Sequence, residues 1–223
     1  MKRVHLDPLE VRPAAVSLLR FAVNDNKGRK PGDPVHEWVT EGRRKHYEDA
    51  LRRGEAWAVN MKAGYHSCGD AMHWLLMCLG VREPLINRGD DGGEKPWLAS
   101  LNILMVQQLP GYRTVRPQQR VELLPGDILH VAAPVHVMGL VSLDEEAGLI
   151  VTADYGSPHG ELHTRKFARR NGQIYIGDRV LQGYVDLDQV PRVDSALVPL
   201  SFDGGTEDDN PYLEELGEPP GVG

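Results

Sequence analysis

The chain has 223 residues, enough to bury a full core in one domain, and its 41% apolar and 26% charged content is ordinary for a globular protein. Its formal net charge of −7 is concentrated after Phe202, where seven acidic residues meet no basic one, so the remaining 25 acids balance the 25 bases. A neutral body argues against a nucleic-acid partner, and no run approaches the ~20 apolar residues of a membrane-inserted helix.

The N-terminus, Met1-Lys2-Arg3, is basic but lacks the apolar stretch of a cleavable signal. The expectation is a protein cytoplasmic as synthesised, exported only by a signal-independent route. Residues 1–60 read as an amphipathic helical segment packed on the core, with Pro13 in a first helical position ahead of Ala14–Val23. Asn24 to Asp33 reads as a turn region, and Arg43 to Trp57 as charged helix. His46-Tyr47-Glu48 matches half of a zinc-deaminase signature, but the Pro-Cys-x-x-Cys half is absent. Trp38, Tyr47 and Trp57 fit either core packing or a substrate groove, and periodicity does not separate the two.

The central stretch is Tyr65-His66-Ser67-Cys68-Gly69-Asp70, continuing to Gly80. Cys68, Ala71, Met72, Leu75, Leu76 and Leu79 follow one helical face. Ser67 suits the N-cap, Asp70 the first turn and Gly80 the C′ position. Cys68 thus begins a buried helix, where free N–H groups and the dipole favour thiolate over thiol. The same cysteine would also pack as a small hydrophobe. Cys78 is an internal control, since the dipole opposes a thiolate at the C-terminal end. Ten residues of helix rise about 15 Å, too far for a disulfide, so both thiols are read as reduced. His66 and His73 are read as incidental.

The loop from Gly89 to Pro96 lacks EF-hand spacing and reads as solvated surface. Trp97 to Gln108 reads as a further helix. From Leu123 the period changes. Leu124-Pro125-Gly126-Asp127 is a turn into a strand at Ile128–Val131, followed by strands at Pro134–Leu143 and Leu149–Gly156. Strands near Gln173–Ile176 and Val180–Val185 would complete a meander of about five. Helices first and strands second predict an α+β domain. The core is placed at residues 61–201, and residues 202–223 read as an acidic, flexible tail.

Counting outward from a turn centred near Glu146 places His136 and Asp154 ten and eight residues away, at the same end of a hairpin. A carboxylate there orients an imidazole and stabilises its charge. With Cys68 docked against that end, the three would make a Cys–His–Asp relay. A strand-end aspartate is also a common turn residue. His130, His159 and His163 are alternative imidazoles.

An apolar helix led by Cys68, then Leu124-Pro125-Gly126-Asp127-Ile128, then His136-Val137-Met138-Gly139-Leu140, resembles the papain-like cell-wall amidases and endopeptidases of the NlpC and CHAP types. The resemblance spans Tyr65 to Gly156, about two-fifths of the chain. It implies a papain-like α+β fold, with N-terminal helices and the cysteine helix packed on an antiparallel sheet of about five strands. It also implies a bacterial thiol hydrolase without metal or organic cofactor, acting on peptidoglycan peptides. In it Cys68 is the nucleophile, His136 the base and Asp154 the orienter. Tyr65, Ser67 and Gly69 would surround the oxyanion and substrate. The chain departs from the pattern with Ser67 before the cysteine, Gly69-Asp70 after it and an aspartate as third member. Two alternatives stand beside this reading. One is protein-modifying acyl transfer or deamidation by the same relay, and the other is an inactive binding protein of unspecified oligomeric state.

Overall fold

The structure is a computed structural model that describes residues 1–24, 52, 68–81, 109–132, 136–155, 160–193 and 195–203. The chain begins with strand β1, Lys2–His5, which pairs antiparallel with the last strand, β9, Ser195–Val198. A turn of 3-10 helix at Pro8–Glu10 leads into α1, Val11–Asn24. Pro8 rather than Pro13 therefore takes the helix-start position, where its missing N–H costs nothing. Glu10 Oε2 accepts a hydrogen bond from the Asp7 N–H at 2.9 Å and satisfies one free donor of that start.

Helix α2 spans Cys68–Cys78. It ends in a Schellman motif, as Val81 N–H reaches Leu76 O at 2.9 Å and Gly80 N–H reaches Met77 O at 3.1 Å. Gly80 has a φ of +82°, and a side chain there would strike the carbonyls of Ser195 and Val193.

Seven strands follow: β2 (Tyr112–Thr114), β3 (Ile128–Ala132), β4 (His136–Asp144), β5 (Leu149–Tyr155), β6 (Gly160–Arg170), β7 (Gln173–Ile176) and β8 (Arg179–Val185). They pair antiparallel in the order β2-β8-β3-β4-β5-β6-β7, and β7 pairs back onto β8. Strands β3 to β8 thus close on themselves as a six-stranded barrel, with β2 attached to β8. This corrects the expected papain-like α+β fold. The described chain is mostly β, with few helices against a closed barrel, and is not a helix layer on a sheet of about five strands. The physical reason is β6. Its eleven residues supply the wall between β5 and β7, and without it the meander cannot close.

Two apolar cores result. One contains Leu129, Met138, Leu140, Ile150, Phe167 and Ile176 with their neighbours, drawn from all six barrel strands and from no helix, and so fills the interior. The other lies between the outer wall and the helices, and joins Leu18, Leu19, Cys68, Leu75, Val137 and Ala153. Phe202, where the tail was expected to begin, is buried in this second core. Residues 204–223, the Trp97–Gln108 helix, the Gly89–Pro96 loop, Trp38, Tyr47 and Trp57 lie outside the described residues.

Helix α1 crosses β4 at Gly139, where an added Cβ would run into the Leu19 side chain. Gly139→Ala is expected to cost about 1–3 kcal/mol in a urea melt by overpacking. In a Leu19→Ala background the same change should cost little, which a double-mutant cycle reads directly.

Candidate active site

The positions of His136 and Asp154 follow from one irregularity in the β4–β5 ladder. Near the turn Leu143 faces Ile150, whereas beyond it Leu140 faces Thr152 and Gly139 faces Ala153, with a register shift between Leu140 and Ser142. Continuing the turn-side register would set Asp154 and His136 on opposite faces of the sheet. The extra residue moves them onto one face, as diagonal neighbours. That face is the barrel interior, because His136 alternates with Met138 and Leu140, and Asp154 with Thr152 and Ile150. The pair therefore stands inside one end of the barrel, beyond its apolar filling.

His136 Nε2 lies 3.0 Å from Asp154 Oδ1, and both side chains are largely buried. Cys68 sits on the first turn of α2, which packs against β4 and β5, and lies near enough to the His136 ring to raise its pKa. Burial pulls the His136 pKa down, but the bonds to Asp154 and Cys68 and their charges outweigh it and raise it to about 9. Burial pushes the Asp154 carboxyl up. Its bond to His136 and the nearby Arg165 guanidinium outweigh that and hold it below the ordinary carboxylate value. Asp154 Oδ2 has its own partners: Arg165 Nη2 at 2.6 Å, the Thr152 hydroxyl at 3.3 Å and His163 Nε2 at 3.7 Å.

The structure thus brings Cys68, His136 and Asp154 together. Gly69 is buried beside Cys68 at the helix start, and Tyr65, Ser67, His66, His159 and the His73 side chain lie outside the described residues. His130 stands apart on β3, with its Nδ1 2.9 Å from the Tyr112 hydroxyl and its pKa lowered by burial. Thr152 and Arg165 have no counterpart among the sequence-derived candidates. Had 160–170 been read as a strand, its period of two would have put Glu161, His163 and Arg165 on one face.

Asp127, part of the Leu-Pro-Gly-Asp motif, is not at this site. Gly126, at φ +95°, completes a turn closed by Asp127 N–H to Leu124 O at 3.1 Å. The Asp127 side chain, 1% exposed, pairs with Arg12 Nη1 at 2.8 Å and accepts the Leu124 N–H at 2.9 Å. Among the described residues no group of three or more His, Cys, Asp or Glu side chains is arranged to hold a metal ion. No helix among them is long and apolar enough to cross a membrane. The chain matches no protein-family model, no curated protein and no solved structure.

Proposed function

We propose that this protein is a thiol-dependent acyl-transfer enzyme that hydrolyses an amide bond through Cys68, His136 and Asp154. The observation that carries the reading is the convergence of these three side chains, from a helix start and two strands, at the barrel end, with His136 bonded to Asp154 and Cys68 beside its ring. The chemistry follows from the groups themselves. His136 takes the Cys68 proton, and the sulfur attacks the amide carbonyl to form a tetrahedral intermediate. Backbone N–H groups of the first turn of α2, those of Cys68 and Gly69 among them, have no partner within the helix and are the donors for the oxyanion. The imidazolium gives its proton to the leaving amine as the C–N bond breaks, leaving a thioester. Water, deprotonated by His136, releases the acid and restores the thiol. With a pKa near 9 the imidazolium formed by taking the Cys68 proton persists at neutral pH, so that proton stays on the ring until the amine leaves.

Peptidoglycan stem peptides are the first substrates to test, on the strength of the motif order from Cys68 to Gly156. Cys68→Ser is expected to abolish release of new amino groups from such peptides while leaving the thermal melt within about 1 °C, since the swap alters size little. Cleavage that persists in Cys68→Ser would refute the proposal. Transfer of the acyl group to an added amine, in place of water, would move the reading to protein-modifying acyl transfer.

A further inference from the structure

We propose that Arg165, braced by Thr152, is a positioning residue of this site that keeps Asp154 ionised and aimed at His136 through the catalytic cycle. The inference rests on the thiol-relay reading above. Arg165 lies on β6 opposite Ile150, and His163 and Glu161 of the same face stand opposite Thr152 and Asp154. Its guanidinium reaches along the barrel interior towards the site. Nη2 makes an ion pair with Asp154 Oδ2 at 2.6 Å, and Nη1 donates to Thr152 Oγ1 at 3.2 Å. The Thr152 hydroxyl, accepting from Arg165, donates in turn to Asp154 Oδ2 at 3.3 Å. One carboxylate oxygen is thus held by the Arg165 ion pair and the Thr152 hydroxyl, and the other, Oδ1, meets His136 Nε2.

The relay creates the need for such a cation. Whenever His136 gives its proton to the leaving amine, the imidazolium that balances Asp154 becomes neutral. A carboxylate only 6% exposed would then be an unpaired buried charge. Among the described residues that face Asp154, Arg165 alone is permanently charged. His136 is the group that changes charge, and Cys68 carries no positive charge. His163 stands 3.7 Å from Asp154, is 40% exposed and is shared with Glu161 at 3.6 Å. The α1 and α2 side chains lining the small cavity beside Asp154, Leu19, Val23, Met72 and Leu75 among them, are apolar.

The test is the pH dependence of Cys68 alkylation by iodoacetamide on the full chain, in wild type, Arg165→Gln, Arg165→Lys, Thr152→Val and His136→Ala. In Arg165→Gln the acid-side midpoint should move upward by about one pH unit, the scale on which an adjacent arginine depresses an aspartate. Arg165→Lys should recover most of that shift, a rescue that a purely packing role would not give. Thr152→Val, which keeps the shape and loses the brace, should shift the midpoint in the same direction by less, and it carries the test if Arg165→Gln does not fold. Profiles of Arg165→Gln and Thr152→Val lying on the wild-type curve, with His136→Ala still slowing the reaction, would overturn the role of Arg165 and leave the relay standing. Alkylation indifferent to His136→Ala would remove the relay and this inference with it.

Discussion

Iodoacetamide at neutral pH is expected to alkylate Cys68 at least a hundredfold faster than Cys78, and His136→Ala to erase most of that difference. The two thiols are buried alike, at 4% and 5% exposure, so unequal rates would report chemistry rather than access. Their settings differ in charge. Cys68 meets the His136 ring, which holds its proton up to about pH 9, at the helix end where the backbone leaves N–H groups without partners inside the helix. Cys78 ends the same helix among apolar neighbours, and burial raises its pKa to about 12. At pH 7 only about one Cys78 in 10⁵ is a thiolate, the form that reacts. Removing the imidazole should move Cys68 labelling towards alkaline pH. Mass spectrometry of the two cysteine-containing peptides over a time course measures both rates. Equal slow labelling of both thiols would make Cys68 a core residue.

Helix α2 was legible in the sequence because its signals are local, an apolar face repeating every three to four residues and a glycine where a left-handed C′ is required. Strands β3, β4 and β5 were legible for the same reason, as apolar runs between turn residues. The closure was not. Strand β6 reads Gly-Glu-Leu-His-Thr-Arg-Lys-Phe-Ala-Arg-Arg, with little apolar alternation. Its inward positions nearest the site, His163 and Arg165, serve Asp154 instead of the apolar filling. A strand whose buried face is polar at a site hides from hydrophobic periodicity, and losing it turned a barrel into an open meander. The register shift that puts His136 and Asp154 on one face is equally silent in composition. Counting from the turn brought the two to the same end but could not assign the face. Asp127 shows the converse, a short motif legible in sequence whose carboxylate ties elements together far from the relay.

Arg12→Ala is expected to cost about 3 kcal/mol of stability at neutral pH, because it leaves a buried carboxylate without its cation. Arg12 extends from α1 to three acids: Asp127 at 2.8 Å, Asp186 at 3.0 Å and Asp188 at 2.9 Å. It also donates to the Pro125 carbonyl at 3.0 Å, and so joins the first helix to the start of β3 and the segment after β8. Most of the cost belongs to Asp127, since Asp186 and Asp188 retain contact with solvent at 24% and 48% exposure. Burial raises the Asp127 carboxyl above its ordinary value, against the bonds from the Leu124 N–H and Arg12. A carboxyl with a raised folded pKa binds its proton more tightly folded than unfolded. Its ionisation therefore weakens the fold as pH rises through the folded pKa, and protonation at lower pH relieves it. Removing Arg12 raises that pKa further, so the gap between wild type and Arg12→Ala should be widest near pH 7 and narrow towards pH 4. Adding Asp127→Asn to Arg12→Ala should recover part of the loss at pH 7 and little at pH 4, because the amide removes the charge and keeps an acceptor for the Leu124 N–H. Urea melts of the wild type and both variants at the two pH values decide it, and a gap that does not change with pH would place the cost in packing of the Arg12 stem instead of in the charge of Asp127.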